Sequence, residues 1–238
     1  MEITILNGQS AHEGSTREIA KQIINMVSGV DASVREFGFP ADYQGSYCRG
    51  CGVCFFAGEK ACPDAAFVQP IIAAMAAADV IVLSSPTYCH GISGAMKTFL
   101  DHLGYCWIEH RPYPAMFSKV GLCISTSGLV TGSQRVVDQL IYNMNGWGIS
   151  KVVGYPKAIF STSWDRIQPK IKEQIAADIP RIAEQVKTLI GKDSVSETVK
   201  NSFMETRAIQ QGNVWNKLDR DHWEQAGWLA ETRPWDAK

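Results

Sequence analysis

The sequence predicts an α/β fold with a doubly wound parallel sheet of five strands in the order 2-1-3-4-5, a cysteine-rich loop after strand 2 and a C-terminal arm. Three observations support this prediction. Short apolar runs rich in β-branched residues alternate with longer segments whose apolar residues recur at helical spacing. Small, polar or glycine-bearing loops follow three of the apolar runs. Because crossover helices return the chain to the same end of a sheet, such alternation favours parallel strands, with a ligand at the switch point between strands 1 and 3.

The composition is that of one α/β domain with an appended segment. The chain has 238 residues and a mass of 26.2 kDa, enough to bury a sizeable core. We expect residues 1–191 to form the domain and residues 192–238 to form the arm. The net charge is −1 and the basic residues are scattered, so we expect neither nucleic acid nor an acidic membrane surface as a partner.

Targeting and membrane signals are missing from the pattern. The sequence does not open on a basic region followed by a long apolar run. Its richest apolar stretch, Ile71–Leu83, is shorter than the ~20 residues of a spanning helix. We therefore expect a soluble, cytoplasmic protein that works with small-molecule or protein partners.

The loop between the first predicted strand and the first predicted helix has features of an anion site. Ile3–Leu6 is a buried strand by its apolar, β-branched run, and Ser15–Glu18 fits an S-x-x-E capping box at the start of a helix. The free N–H groups and positive dipole end of a helix start favour an anion, to which the hydroxyls of Ser10, Ser15 and Thr16 would add donors. An ordinary helix cap explains the same residues equally well. The glycines and lysine of a nucleoside triphosphate loop are absent from the sequence here.

A cysteine-rich loop over residues 47–63 follows the second predicted strand, Val34–Phe37. It contains four of the seven cysteines in the spacing C-x2-C-x2-C-x7-C, namely Cys48, Cys51, Cys54 and Cys62. Evenly spaced thiolates suit the corners of a 4Fe–4S cube, whereas structural zinc sites usually split their ligands into two separated pairs. A disulfide pair, a redox switch and a site that no longer binds metal are alternatives.

A third strand, Val80–Leu83, follows a helix and leads into the loop Ser84–Gly91. In open α/β sheets ligands bind at the carboxyl ends of the strands. Tyr88 offers a ring face, and the proline and glycine of this loop shape a backbone that would present N–H groups to a planar heterocycle. A polar connection with a core tyrosine is the alternative.

The remaining pattern continues the alternation of helices and strands. The predicted elements are a helix over Ile92–Leu103, a strand over Val120–Ser125, the polar loop Thr126–Gly132, a helix around Val136, a strand at Val152–Val153 and a helix over Ile167–Ile190 kinked at Pro180. An aromatic stretch before the fourth strand would line a substrate mouth or a subunit contact; its members are Tyr105, Trp107, Tyr113 and Phe117.

The last 47 residues differ from the rest in carrying tryptophans among many charges; these are Trp215, Trp223, Trp228 and Trp235. Tryptophans at this density usually pack on a surface, so we expect an arm that wraps its own domain or a neighbouring subunit. A homodimer or homotetramer is the expected assembly.

With these loops placed, residues 1–190 resemble the NAD(P)H-dependent FMN reductase family of the flavodoxin-like fold, in particular its iron-sulfur flavoprotein branch. Ser85–Tyr88 and Gly94–Lys97 are similar to the family's S-P-x-Y and G-A-L-K signatures. Asn7–Thr16 has the length of the family's first loop, N-G-S-P-R followed by G-N-T. The serine, proline, arginine and asparagine usual in that loop are replaced here by Gln9, Ser10, Ala11 and Ser15.

The resemblance implies FMN as cofactor, NAD(P)H as substrate and a flavin oxidoreductase activity. It places FMN contacts in three loops: Gln9, Ser10, Ser15 and Thr16; Pro86, Thr87, Tyr88, Cys89, His90 and Gly91; and Thr126, Ser127 and Gly128. The compact C-x2-C-x2-C run plus a fourth cysteine implies that Cys48, Cys51, Cys54 and Cys62 bind a 4Fe–4S cluster. We assign no catalytic side chain, because the cofactors carry the chemistry. Neither His102 nor His110 receives a role.

The resulting hypothesis is an FMN-dependent, NAD(P)H-linked oxidoreductase whose cluster passes single electrons to an acceptor. That acceptor would be a small molecule or a protein. A non-enzymatic flavin and iron-sulfur electron carrier, and a cluster-free FMN reductase with structural or zinc-binding cysteines, are the alternatives.

Overall fold

The fold is a five-stranded parallel sheet with helices on both faces. A computed structural model describes residues 1–9, 14–29 and 31–236. The strands are, in chain order, β1 (Glu2–Asn7), β2 (Ser33–Gly38), β3 (Val80–Ser84), β4 (Thr87–Tyr88), β5 (Gly91–Ile92), β6 (Val120–Ser127) and β7 (Lys151–Ala158). The sheet has the order β2-β1-β3-β6-β7, and β4 and β5 form a separate antiparallel hairpin. Counting the five sheet strands alone, the order is 2-1-3-4-5, which confirms the predicted flavodoxin-like topology.

The helices occupy the crossovers and the C-terminal arm. They are, in chain order, α1 (Ser15–Ser28), α2 (Val53–Phe56), α3 (Ala65–Ala77), α4 (Gly94–Leu100), α5 (Ser133–Gly146), α6 (Pro169–Leu189), α7 (Glu197–Gln211) and α8 (Lys217–Gln225). In the described part of the chain, 3-10 helices lie at Glu59–Ala61, Asp101–Cys106 and Pro114–Ser118. Pro180 lies inside α6.

The core has two layers because successive strand residues face opposite sides of the sheet. Val80 and Val82 of β3 pack with α1 and α6, whereas Ile81 and Leu83 pack with α3, α4 and α5. Every residue of β3 is buried. The central strand is therefore covered on both faces. Its carboxyl end lies at the edge of the sheet where ligands bind in such folds.

One predicted helix is shorter in the structure. The expected helix over Ile92–Leu103 is α4, which begins at Gly94 after the N-cap Ser93 and ends at Leu100. The difference at its start arises because Gly91 and Ile92 pair with Thr87 and Tyr88 in the hairpin. Beyond Leu100 the chain tightens into the 3-10 helix Asp101–Cys106.

The arm packs against its own chain. Phe203 of α7 and Trp223 of α8 join Phe117 in a separate apolar cluster. Trp223 is fully buried, its ring stacks on Phe203 at 4.7 Å, and its Nε1 donates to the carbonyl of His110 at 2.7 Å. Trp215, by contrast, is 61 % exposed. The tryptophans of the arm therefore do not all pack in the same way: Trp223 is buried against the domain, whereas the ring of Trp215 is exposed.

Among the residues that the structure describes, none of the helices combines the length and the apolarity that crossing a bilayer requires.

Candidate functional site

The loops after β1, β3 and β6 lie together, because these strands are neighbours in register. Asn7 pairs with Ser84, which in turn pairs with Ile124. The amide of Gly8 donates to the carbonyl of Ser84 at 2.7 Å. The sequence-predicted convergence of these loops at one edge is therefore present in the structure.

Ser93 ties the first two loops together, and the sequence analysis did not single it out. Its hydroxyl donates to the carbonyl of Gly8 at 2.7 Å, and its amide donates to the Ser85 hydroxyl at 3.0 Å. A Cβ on Gly8 would lie 2.5 Å from the Ser93 hydroxyl oxygen, so this position requires glycine. The available signal was the serine before the G-A-M-K segment, which matches an N-cap.

The start of α1 differs from the predicted capping box. The helix begins at Ser15 itself, its N-cap is Gly14, and no side chain caps it. The carboxylate of Glu18 accepts a hydrogen bond from Gln22 instead of reaching back to the cap. Because Ser15 is the first helical residue, its hydroxyl is not committed to the helix backbone. The capping-box prediction was wrong, and the correction leaves this hydroxyl available to a ligand.

Buried polar atoms without a partner gather at this edge of the sheet. Within the described residues, Asn7 Oδ1, Ser15 Oγ and Ser84 Oγ are buried and make no hydrogen bond. Buried polar atoms normally have a partner, and leaving one without a partner costs about 1–3 kcal/mol. The two hydroxyls can donate to an anion, and together with the N–H groups at the start of α1 they fit a ligand such as the phosphate end of FMN. The Asn7 oxygen can only accept, so it suits a donor group.

The residues predicted to contact FMN from the first loop differ in burial and in their contacts. Thr16 is buried, and its hydroxyl lies 2.5 Å from that of Thr126, so α1 is joined to the loop after β6. Gln9 is partly buried, and a Cβ on Gly14 would collide with its side chain at 2.3 Å. Ser10 lies outside the described residues.

The second loop is a tight hairpin with an exposed tip. Cys89 and His90 have φ of 49° and 59°, the left-handed conformation of a two-residue hairpin turn. Tyr88 is 55 % exposed, which excludes the alternative of a core tyrosine. The Thr87 hydroxyl lies 3.0 Å from the Ser125 hydroxyl, so the hairpin is attached to β6. Pro86, just before it, is buried.

The third loop meets the hairpin at Gly132. A Cβ there would lie 2.9 Å from Thr87 and 3.1 Å from Nδ1 of His90. The Ser127 hydroxyl donates to the carbonyl of Leu129 at 2.6 Å within the turn. Gly128 is exposed, with open space around it. The third loop thus combines a polar, buried start with an exposed tip.

The cysteine loop surrounds one cavity. Its four cysteines, together with Asp101, His102 and Gly104, line a space of about 130 Å³; they are Cys48, Cys51, Cys54 and Cys62. Each of the seven cysteines is a free thiol. The disulfide alternative is therefore not realised in the structure.

Two glycines account for the tight path of the cysteine loop. Gly50 and Gly52 have φ of 65° and 71°, so the backbone turns on each side of Cys51 in a conformation that favours glycine. Burial raises the pKa of the Cys54 thiol, and the nearby thiols of Cys62 and Cys48 add to the rise. A bound cation would reverse this effect, since thiolates are the metal-binding form.

Asp64 and His102 anchor the end of the loop, and sequence reasoning missed both. Asp64 accepts from the amide and the hydroxyl of Ser46, each at 2.9 Å, and His102 Nε2 lies 2.9 Å from the Ser46 carbonyl. Burial by itself would raise the pKa of Asp64, but the Ser46 hydrogen bonds lower it overall. His102 Nδ1 lies 3.9 Å from Cys62 Sγ. Within the described residues, Cys62, Asp64 and His102 are the group whose ligand atoms lie closest, within 4.8 Å.

The four cysteines line a shared cavity. The carboxylate of Asp64 and the imidazole of His102, near Cys62, are already engaged with Ser46. The structure therefore brings the four sequence-predicted cysteines to one cavity.

The cysteine loop and the three-loop site are adjacent at the end of β2. The amide of Phe39 donates to the carbonyl of Asn7 at 2.8 Å. Gly38 lies beside the Gln9 carbonyl, since a Cβ built on Gly38 would be 3.6 Å from that oxygen. The chain therefore enters the cysteine loop from the edge where the polar strand-end loops meet.

Comparisons with known proteins agree with this arrangement. The family model for NADPH-dependent FMN reductase matches residues 1–165. An iron-sulfur flavoprotein of Methanocaldococcus jannaschii is 29 % identical over 148 residues, which cover 60 % of this chain and 70 % of that protein. An NADPH azoreductase of a Bacillus species is 28 % identical over 114 residues, or 47 % of this chain and 55 % of the relative.

A solved structure shows the same fold. The FMN-dependent NADH-azoreductase from Bacillus anthracis, in complex with FMN, superposes with a TM-score of 0.58 at 10 % identity, covering 79 % of this chain and 100 % of that chain.

Proposed function

This chain belongs to the NADPH-dependent FMN reductase family, and from that premise we propose that it is an FMN-dependent NAD(P)H oxidoreductase with a 4Fe–4S cluster for one-electron transfer. The observation that carries the flavin assignment is the pair of buried hydroxyls of Ser15 and Ser84, which have no hydrogen-bond partner among the described residues. The observation that carries the cluster assignment is the cavity lined by four cysteines, none of which forms a disulfide. The iron-sulfur relative supports the same assignment.

The roles of the chain's own residues follow from their positions. Ser15, Thr16 and the first amides of α1 bind the phosphate, with charge supplied by the helix dipole. Tyr88 and the hairpin border the isoalloxazine ring on one side. Thr126 to Gly128 border it on the other. When bound, FMN and the cluster supply hydride acceptance and single-electron transfer, respectively.

The proposal requires no side-chain acid or base. Backbone N–H groups of the strand-end loops would stabilise negative charge on the reduced ring, as donors do in an oxyanion hole. Tyr88 and His90 therefore serve as ring contacts. The four cysteines, as thiolates, hold the cluster.

The first test is the metal and sulfide content of protein purified without oxygen. About four iron and four sulfide per FMN are expected for one cubane cluster. Bound FMN with near-zero iron after anaerobic reconstitution would refute the cluster and leave a cluster-free FMN reductase. Absence of both cofactors would refute the whole assignment.

The ligand assignment is tested with a matched pair of cysteine variants. Cys51→Ser removes a proposed ligand, so iron and sulfide per FMN should fall by most of their wild-type value. Cys89→Ser changes an equally exposed cysteine that lies on the hairpin, outside the cysteine cavity. It should retain the iron content, and equal iron in both variants would contradict the assignment of Cys51.

The NAD(P)H link is tested by stopped-flow mixing with each nucleotide. Bleaching of the flavin absorbance within seconds by NADPH or NADH is expected. If neither nucleotide reduces the flavin but a reduced ferredoxin does, the protein is an electron carrier.

We also propose that the protein works as a homodimer or homotetramer. Exposed apolar side chains lie in the third loop and on α5: Leu129 is 63 %, Val130 77 % and Tyr142 67 % exposed. Such side chains are typical of surfaces that become covered. Light scattering at micromolar concentration should give a mass of two or four chains, and a monomer mass would contradict this.

A further inference from the structure

The arm and the cysteine loop meet at the side chain of Arg111. This guanidinium is 9 % exposed. Its Nη2 donates to the carbonyl of Cys54 at 2.5 Å, and its Nη1 donates to the carbonyl of Phe55 at 3.2 Å. The planar fork of an arginine suits two successive acceptors, whereas a lysine ammonium would reach one of them as a point charge. Arg111 therefore braces the backbone that carries Cys54.

The same guanidinium is also held by the arm, through the nitrogen that contacts Phe55. Asp219 of α8 is fully buried and accepts from Arg111 Nη1. It also lies 2.7 Å from Nδ1 of His110 and accepts from Nδ2 of Asn216 at 2.9 Å. A buried carboxylate is stable only with such partners. These contacts fix Asp219, and Asp219 in turn orients Arg111.

Arg111 makes a further contact with the cysteine loop, at Glu59. Arg111 Nη2 lies 4.0 Å from the carboxylate of Glu59, which stands between Cys54 and Cys62 in the sequence. The backbone of Arg111 is itself fixed, since its amide donates to the carbonyl of Tyr105 at 3.0 Å. The guanidinium is thus anchored at its base and contacts both the loop and the arm.

We propose that Arg111 is a positioning residue for the cysteine loop, held in place by Asp219 of the arm. It fixes the turn at Cys54 and places a positive charge beside the cysteine cavity. The part of this proposal that concerns a bound cluster rests on the proposed function. The part that concerns the hydrogen bonds to the loop backbone does not. Asp219 lies outside residues 1–165, so the arm supplies a part of the site that the family model does not include.

Three variants separate the effect of the positive charge of Arg111 from the effect of its hydrogen bonds to the loop backbone. Arg111→Met removes both, Arg111→Lys retains the charge but not the fork, and Asp219→Asn removes the negative partner. The matched control is Arg207→Met. Arg207 is 7 % exposed, donates to the carbonyl of Thr232 at 2.7 Å and lies over the ring of Phe203, so its partners belong to the arm.

The first readout is the protection of Cys54 in the full-length protein before cluster reconstitution. Alkylation of Cys54 by iodoacetamide, followed by mass spectrometry, should be about tenfold faster in Arg111→Met, because charge-assisted hydrogen bonds that close the loop are lost. Arg111→Lys should lie between that variant and wild type. Arg207→Met should stay within about twofold of wild type, since local opening elsewhere does not expose this loop.

The second readout is the reduction potential of the reconstituted cluster. A nearby cation stabilises the more negative, reduced state, so Arg111→Met should lower the midpoint potential and Asp219→Asn should raise it. Arg111→Lys should remain close to wild type. Opposite signs for these two variants are not expected from a loss of stability alone.

Specific outcomes overturn the proposal. Unchanged Cys54 alkylation in Arg111→Met, or equal acceleration in Arg207→Met, would show that Arg111 does not position the loop. If the wild-type protein takes up no iron and sulfide, the proposed cluster is refuted. The alkylation result then still decides whether Arg111 braces the loop, so the two failures are distinguishable.

Discussion

Replacing Ser15 by alanine should have opposite effects on the free and the FMN-bound protein. Ser15 is 5 % exposed, and its hydroxyl oxygen has no hydrogen-bond partner among the described residues. A buried hydroxyl without a partner costs about 1–3 kcal/mol, so its removal should stabilise the FMN-free protein. At about 2–4 °C per kcal/mol for a chain of this size, the melting temperature should rise by a few degrees.

The same change should weaken FMN binding. A hydrogen bond to a charged group contributes about 1.5–3 kcal/mol, which corresponds to an affinity loss of about 10- to 100-fold. Fluorescence titration of FMN into the cofactor-free protein measures the affinity, and calorimetry measures the melting temperature. The control is Ser28→Ala at the other end of α1, where the hydroxyl bonds the carbonyl of Asn25 at 3.5 Å.

Two results would refute this reasoning. Unchanged FMN affinity in Ser15→Ala would show that this hydroxyl does not contact the phosphate. A fall in the melting temperature of the FMN-free protein would show that the hydroxyl is satisfied in solution. An affinity loss of the same size in Ser28→Ala would mean that the substitution acts through α1 as a whole.

Three further predictions concern the arm, the acid response and the cysteine loop. Trp223→Ala should lower the free energy of unfolding by about 3–5 kcal/mol in urea titrations, because it removes a fully buried ring; a loss below 1 kcal/mol would contradict the packed arm. Burial alone would raise the pKa of Asp178, but hydrogen bonds from Lys157 and other neighbours lower it, so its contribution is present above the unfolded pKa of about 3.9 and is lost as the pH falls through the folded value. The stability difference between wild type and Asp178→Asn should therefore shrink below about pH 4, and a difference that stays constant down to pH 2 would refute this. Gly52→Ala and Gly191→Ala both force alanine into left-handed backbone, at φ 71° and 74°, but only the first should reduce iron per FMN; equal loss in both would mean that backbone strain alone is responsible.

Much of the fold was predictable because it depends on local pattern. The apolar runs of β1, β3 and β6 and the helical spacing between them determined the strand order and the position of the three loops. The short β-branched runs are buried on both faces, which is the pattern of parallel strands. The cysteine spacing likewise predicts that four thiols lie in one loop.

Several local predictions failed where two patterns competed for the same residues. Ser15 and Glu18 fit a capping box, yet Gly14 takes the cap position and the helix starts at Ser15, one residue earlier than that pattern predicts. Ile92 continues an apolar helical pattern, yet it pairs with Thr87 in the hairpin. Capping boxes and helix starts are decided by where the neighbouring backbone lies, which short-range pattern does not contain.

The sequence by itself determined the parallel α/β topology, the convergence of polar loops and the grouping of four cysteines, because these follow from residue spacing over a few turns of chain. Only the tertiary structure decided which side chains support the site. Arg111 and Asp219 are 108 residues apart, and Thr16 and Thr126 are 110 apart. Contacts between such distant residues arise from the packing of whole elements, and neither hydrophobic periodicity nor motif spacing encodes them.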